Sequence, residues 1–371
     1  MTRDLLALAD WLAEQGVTHV AMESTGVSWK PAFNVLGGVV HVLLVNAEHI
    51  KQVPGRKADV KDCQWITQLL RHGLLKASFM PPEPIRELRD LTRQRTQLIQ
   101  ERAAAANRIQ KVLEGANVKL ASVATDVLGA SGWDMREALI AGETDPEKLA
   151  DLARKRLREK VPQLPLALQG RVTDHHRFLL RMHPDHVSHL EELIGRLGAR
   201  VEEALAPLAE AGQRLRTIPG VSQRVAETVL AEVGPNMDQF PTDGHWASWA
   251  GMCSGNNESA GKRRSGRRTH GNRWLKRILV QAAWAASHPK GTYLAARYRR
   301  LAKRRGRKRA LVAVGHTLLV IIYHVLKRGT TYAELGPGFL DRLEPERLTR
   351  QLIKRREALG HKVTPEPRPA A

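Results

Sequence analysis

Three carboxylates and one hydroxyl stand out by type and position. Glu23 ends a short apolar run in AMESTG, where an acid projecting beyond a sheet edge either is solvated or holds a metal. Asp59 and Asp62, in GRKADVKD, are three residues apart; on a helix they share one face, with Cβ atoms about 5–6 Å apart. Converging with Glu23, they would bind Mg2+, a hard cation that takes oxygen ligands and leaves room for phosphate oxygens. The other reading makes Asp59 an N-cap, Asp62 a first-turn acid favoured by the helix dipole, and Glu23 a surface residue. Spacing leaves both open. Ser259, in CSGNNESAGKRRSGRRTHGNRW, is followed by Lys262, Arg263, Arg264, Arg267 and Arg268. Those cations suit a phosphodiester and the charge that builds up as a nucleophile attacks phosphorus. A serine in such a stretch also serves simply as a turn residue.

Further along, Arg297 to Arg309 carries nine Lys or Arg in thirteen positions, with Arg304, Arg305, Arg307 and Lys308 at its centre. Such density suits a phosphate backbone or an acidic partner, bound without regard to sequence. Residues 215–234, LRTIPGVSQRVAETVLAEVG, place a Pro219-Gly220 turn between two helical segments. This is either a helix-hairpin-helix, whose backbone N–H groups near Gly220 hold a phosphate, or an ordinary packing unit. His175, His176, His183, His186 and His189 form a histidine-rich stretch, with the last two one helical turn apart. No acid-histidine motif surrounds them, so surface and packing roles are the first expectation.

The elements that must position these residues can be read from periodicity. Leu5 to Leu12 has helical spacing with a stop at Gly16, Val17–Met22 and Val39–Val45 read as short strands, and a helix follows from about Lys57 to His72. That is an α/β layer. Pro84 to Leu113 reads as a long basic helix. Val187, Leu190, Ile194, Leu197, Val201, Ala204 and Leu208 keep the alternate three- and four-residue steps of a coiled-coil seam, pairing with the first long helix or across a dimer. The stretch between, with Gly129, Gly132, Gly142 and Pro162, reads as irregular. Trp249 to Lys276 reads as a loop, helices continue to about Lys327, and the tail after Leu359 is expected to be disordered.

The 371 residues, 42% of them hydrophobic, allow two or three cores at roughly 100–200 residues per domain. Lys and Arg outnumber Asp and Glu by 59 to 38, a formal +21, and the isoelectric point near 10.5 calls for a polyanionic partner, nucleic acid above all. A membrane-surface protein would need aromatic anchors, and aromatics are 5%. Cys63 and Cys253, the two cysteines, make no disulfide framework, which fits a reducing cytoplasm. The first residues offer no uninterrupted apolar stretch for a secretion signal. Ala310–Leu326, the most apolar run, is shorter than the ~20 residues that span a bilayer and contains His316, Thr317 and His324; it reads as a buried helix.

The blocks VAMESTGVSWKP, LLVNAEHIKQVPGRKADVKD, QLLRHGLL, IPGV, WAGMCSGNNESAGKRRSG and LKRILVQAAWAA resemble, in content and order, those of the IS110-class transposases of bacterial insertion elements, the DEDD transposases. The resemblance implies a partial RuvC-like (RNase H-like) α/β domain over 1–80, long helices in a coiled coil over 81–211, and a mostly α-helical transposase domain with a helix-hairpin-helix over 212–345. A basic, partly disordered tail would occupy 346–371. It implies four Mg2+-binding acids, with Glu23 the second and Asp59 and Asp62 the third and fourth. Ser259 would be the nucleophile that forms a covalent phosphoserine with a cleaved strand. Implied partners are double-stranded DNA, namely element ends and target, a structured guide RNA, and further copies of the chain in a dimer or tetramer. No membrane is implied, and the location would be cytoplasmic, at the nucleoid. The family's first acid lies on a strand before the first helix; Asp4 and Asp10 do not replace it, so weak or absent recombination is expected. Two other functions suit the residues: a RuvC-like nuclease or junction resolvase in which Ser259 is idle, and a nucleic-acid-binding remnant without catalysis.

Overall fold

The computed structural model describes residues 2–24, 26–46, 59–253, 257–259, 261–265, 270–343 and 345–364. Contacts divide the chain into two units, Met1–Pro82 and Glu83–Ala371.

In the first unit, α1 (Thr2–Glu14) ends where Gly16 takes a φ of 66° and the Val17 N–H donates to the Leu12 carbonyl at 2.9 Å. This left-handed cap needs a residue without a Cβ penalty. Next, β1 (His19–Glu23), α2 (Trp29–Leu36) and β2 (His41–Val45) form a strand-helix-strand unit. The strands are parallel, in register from His19 opposite His41 to Glu23 opposite Val45. Parallel neighbours cannot be joined by a tight turn, so α2 is required between two strands for which the sequence reading named no connecting helix. Its signal is weak: it is eight residues long, and Ser28 makes no side-chain cap. Ala9, Leu12, Leu36 and Val40 form the core, with Val20, Met22 and Val42 against it. Then α3 (Asp59–Arg71) packs on β1, and the Ser78 N–H bonds the Leu44 carbonyl at 2.6 Å.

The second unit is built on α4 (Glu83–Gly115), 33 residues long. Two shorter helices, α5 (Ala130–Ala141) and α6 (Asp174–Arg181), lead to α7 (Pro184–Leu205). Leu88 meets Val201 while Arg102 reaches Glu191 at 2.7 Å, so α4 and α7 run antiparallel and pair within the chain. Val187, Leu190 and Val201 of the expected seam are buried. The stretch between these helices is not irregular. Its short helices enclose a core with Ile109, Leu113, Met135, Leu139, Leu149, Leu164 and Leu180 at its centre. Most of these segments are short and interrupted by Gly and Pro, and the longest, Ala130–Ala141, keeps its apolar residues to no single face, which hid the core from the sequence.

After α7 come α8 (Ala209–Arg216), α9 (Gln223–Val233) and α10 (Asp243–Trp249). A hairpin of β3 (Asn257–Ser259) and β4 (Lys262–Ser265) follows, then α11 (Arg273–Ala286), α12 (Tyr293–Arg305), α13 (Arg307–Arg328) and α14 (Pro345–Glu357). The apolar run expected to be a buried helix is the middle of α13. Val314, Leu318, Leu319 and Ile322 are fully buried, and the helix packs on α8, α10, α11 and α12. Its length and composition would also suit a bilayer crossing, but this packing gives its apolar side a protein core. Helix α14 occupies residues expected to form a basic tail.

Candidate functional site

Ser259 lies not in an open loop but at the end of β3, opposite Lys262 in an antiparallel register that also sets Glu258 against Arg263. The strands are joined by two residues, the second of which, Gly261, has a φ of 74°. Tight turns of this kind need glycine there. The register shifts between Asn257 and Glu258, so Asn257 faces Ser265 and Arg264 is the extra residue of a bulge, a device that re-aims a strand. Lys262 is exposed. Arg267 and Arg268 lie outside the described residues.

The chain leading into and out of this hairpin is held at three places. Gly271 and Gly251 both take positive φ, 48° and 67°, and a Cβ on Gly271 would collide with the backbone of Gly251 and Ala250; the incoming and outgoing chains touch there. Met252 packs against Gly315 of α13, where a Cβ would lie 3.1 Å from its terminal methyl. Asn272 then caps α11, its side-chain oxygen accepting from the Trp274 and Leu275 N–H groups at 3.0 Å each. Its amide donates to Glu232 Oε2 at 2.6 Å.

Glu232, on α9, is fully buried and is the hub of a charged network. Arg93 of α4 grips it with two bonds, Nε to Oε1 and Nη2 to Oε2, each 2.8 Å. Arg89 Nε lies 3.3 Å from Oε2. Burial pushes the Arg89 guanidinium below its ordinary range, and the Glu232 charge opposes that. Nearby, Arg95 pairs with Glu227 out of solvent. Sequence reasoning missed Glu232, Arg93 and Asn272. The Asn before a helical run was a legible cap signal; the ion pair, 139 residues apart, was not.

Arg304 and Arg305 end α12 and Arg307 and Lys308 begin α13, all at an exposed corner around Gly306. Cations suit the last turn of α12, where the dipole is negative, but oppose the first turn of α13. Helix stability therefore does not explain Arg307 and Lys308, whereas an anion at the corner would relieve both. Gly220, φ 84°, sits in the turn between α8 and α9, and a Cβ there would strike the backbone of Ala282 and Ala286. Glycine lets this turn lie directly on α11, a packing role whatever else its N–H groups hold. The start of α9 is capped by Ser222, whose side chain accepts from the Val225 N–H at 3.4 Å.

In the first unit, Glu23 is the exposed last residue of β1, at the carboxyl end of a parallel strand, where open α/β sheets place their ligands. Asp59 and Asp62 occupy the first turn of α3, the helix that packs on β1. No cluster of three or more His, Cys, Asp or Glu side chains arranged to hold a metal occurs among the described residues.

A strand-end carboxylate in one unit and a strongly basic helical unit carrying a short hairpin in the other fit a protein that meets a polyanion. Comparison with known proteins gives the family. Residues 1–118 match the DEDD transposase model of the IS110 type, and residues 212–299 match that of the transposase IS116/IS110/IS902 family. Over 335 residues the chain is 24% identical to the transposase for insertion sequence element IS1111A of Coxiella burnetii, covering 86% of this chain and 81% of that relative. The chain belongs to the IS110-class insertion-sequence transposases. Glu23, Asp59 and Asp62 fall in the first matched segment, Gly220 and Ser259 in the second.

Proposed function

We propose that the chain cuts and rejoins DNA strands through Ser259, guided by a structured RNA, with Glu23, Asp59 and Asp62 holding Mg2+. The observation that carries the reading is the hairpin: a hydroxyl residue ends a strand opposite Lys262, and the chain leading into and out of it is held at Gly251, Gly271 and Asn272. A nucleophile held within a basic surround is what phosphoryl transfer requires. Ser259 Oγ forms a bond to phosphorus as the bond to a deoxyribose oxygen breaks, and the serine proton leaves with that oxygen. Lys262, Arg263 and Arg264, with Arg267 and Arg268, bind the phosphodiester and offset its growing charge. The corner at Arg304, Arg305, Arg307 and Lys308 holds duplex backbone, and the turn at Gly220 adds a phosphate contact.

Three carboxylates are the right donors for Mg2+, which when bound supplies Lewis-acid stabilisation of the phosphoryl oxygens. Glu23 at a strand end and two acids in the first turn of α3 are the residues that would hold it. The test is the Ser259→Ala variant, assayed for a covalent protein-DNA adduct and for strand transfer. Both are expected to vanish while DNA binding stays nearly unchanged, since one hydroxyl adds little beside so many cations. An adduct that persists would leave a nuclease reading, with water as nucleophile and Ser259 idle.

A further inference from the structure

The histidine-rich stretch has no part in the proposed reaction, yet the fold gathers three of its five members. His175, His176 and His183 line, with Arg108 and Lys111, an open groove of about 420 Å³ between the end of α4 and α6. Five of its eight lining residues carry nitrogen donors and none carries a carboxylate. Arg108 and Lys111 are exposed. The floor is apolar, from Val112 and Leu179.

A metal does not suit this groove. His176 Nδ1 already accepts the Thr173 N–H at 3.2 Å, which puts the ring proton on Nε2 and makes that atom a donor. Two adjacent cations would repel a metal ion. Burial, and after it the charges of Arg108, His186 and Arg136, hold His183 below its ordinary range, so at neutral pH it offers a neutral N–H. The Arg136 charge felt there is paired through Nη2 alone, with Glu137 Oε1 at 3.1 Å. The Arg136 side chain is 1% exposed, stacks on Trp133 at 3.8 Å, and leaves Nε and Nη1 without hydrogen-bond partners. Donors, positive charge and no acid describe a site for phosphate.

One more residue narrows the ligand. Phe178 is 62% exposed on α6, three residues from His175 and so beside it on the helix surface. An aromatic face next to a cationic groove is the pairing that holds single strands, with backbone on the cations and an unpaired base on the ring. A duplex, whose bases are already stacked, has nothing to offer Phe178. We propose that this groove binds single-stranded nucleic acid, with backbone phosphates on Arg108, Lys111 and the three histidines and one base stacked on Phe178. The inference concerns binding alone and holds whatever Ser259 does.

The test uses the full chain and three probes: a short unstructured RNA, the DNA strand of the same sequence, and that DNA as a duplex. Phe178→Ala should weaken single-strand binding at least about fivefold, the low end for loss of one stacked base, and leave the duplex unaffected. Arg108→Ala with Lys111→Ala should flatten the slope of log affinity against log salt for single strands by about 1.4, two contacts at roughly 0.7 each. The charge-conserving pair Arg108→Lys with Lys111→Arg should keep the wild-type slope, which separates charge from fold. An effect on RNA alone, DNA alone or both supports the groove and names its strand. Single-strand affinity unchanged in Phe178→Ala, or an unchanged slope in the double alanine variant, overturns it; a control with Arg304, Arg305, Arg307 and Lys308 neutralised shows independently whether the α12–α13 corner binds duplex.

Discussion

At the scale of single residues, Glu232 is where the hairpin's support is most exposed to test. With two guanidinium groups and one amide on a carboxylate that sees no solvent, Glu232→Ala strands buried positive charge. Breaking one side of such a pair costs about 3–5 kcal/mol. Urea unfolding should show a loss of that order; less than about 1 kcal/mol would mean Arg93 and Arg89 find other partners. Asn272→Ala should cost less, about 1–3 kcal/mol for a lost cap and an unmet acceptor. The cysteines offer a second reading of this region. Burial, then the Asp243 charge, raises the Cys253 thiol above its ordinary range, so it stays protonated at neutral pH and its reactive thiolate is scarce. Cys63 is exposed. Alkylation near pH 7.5, followed by mass spectrometry, should label Cys63 first; equal rates would place Cys253 in open solvent.

At the scale of elements, α13 ties its core to pH. Burial, with Arg297 adding to it, depresses His316 below its ordinary value near 6.5, and His183 at the head of α7 shifts the same way. A depressed folded value means the unfolded chain takes up the proton first, so stability is full above about pH 6.5 and declines as pH falls toward the folded values. The thermal midpoint should drop between pH 7.5 and 5.5, and drop less in His316→Gln; an identical drop would remove His316 as a cause. The elements also show what the sequence could carry. Long amphipathic helices such as α4 and α7 declare themselves through repeated apolar steps, and β1 and β2 through short apolar runs. The crossover α2, the helices between 120 and 168 and the Ser259 hairpin were not legible, because they are short or, like Ala130–Ala141, keep their apolar residues to no single face. Ser259 and the three acids owed their prominence to whole blocks of sequence, not to their own spacing. The groove at His175 and His183 was out of reach altogether, since its cations come from α4, more than sixty positions earlier.

At the scale of the whole molecule, charge and fold divide at the same place. Residues 1–82 hold eight Lys or Arg against seven Asp or Glu, so all but one of the formal +21 falls in residues 83–371, the second unit. The candidate phosphate contacts lie there too, while all three candidate metal-binding acids lie in the first. Among the described residues each unit also has a core of its own, and the clusters around Ile109 and around Leu88 draw on residues 83–371 alone. The two activities should therefore separate: a fragment of residues 83–371 is expected to fold and to bind nucleic acid without cleaving it. Its salt slope on duplex DNA should fall short of the full chain's by no more than about 0.9, one phosphate contact, because a nearly neutral unit releases few counterions. Strand cleavage should be absent, since Glu23, Asp59 and Asp62 are gone. A deficit of several units in the slope would show that the few cations of residues 1–82 sit on the nucleic acid. Cleavage by the fragment would show that the chemistry needs none of these carboxylates, and would leave Ser259 and its basic surround as the whole reaction centre.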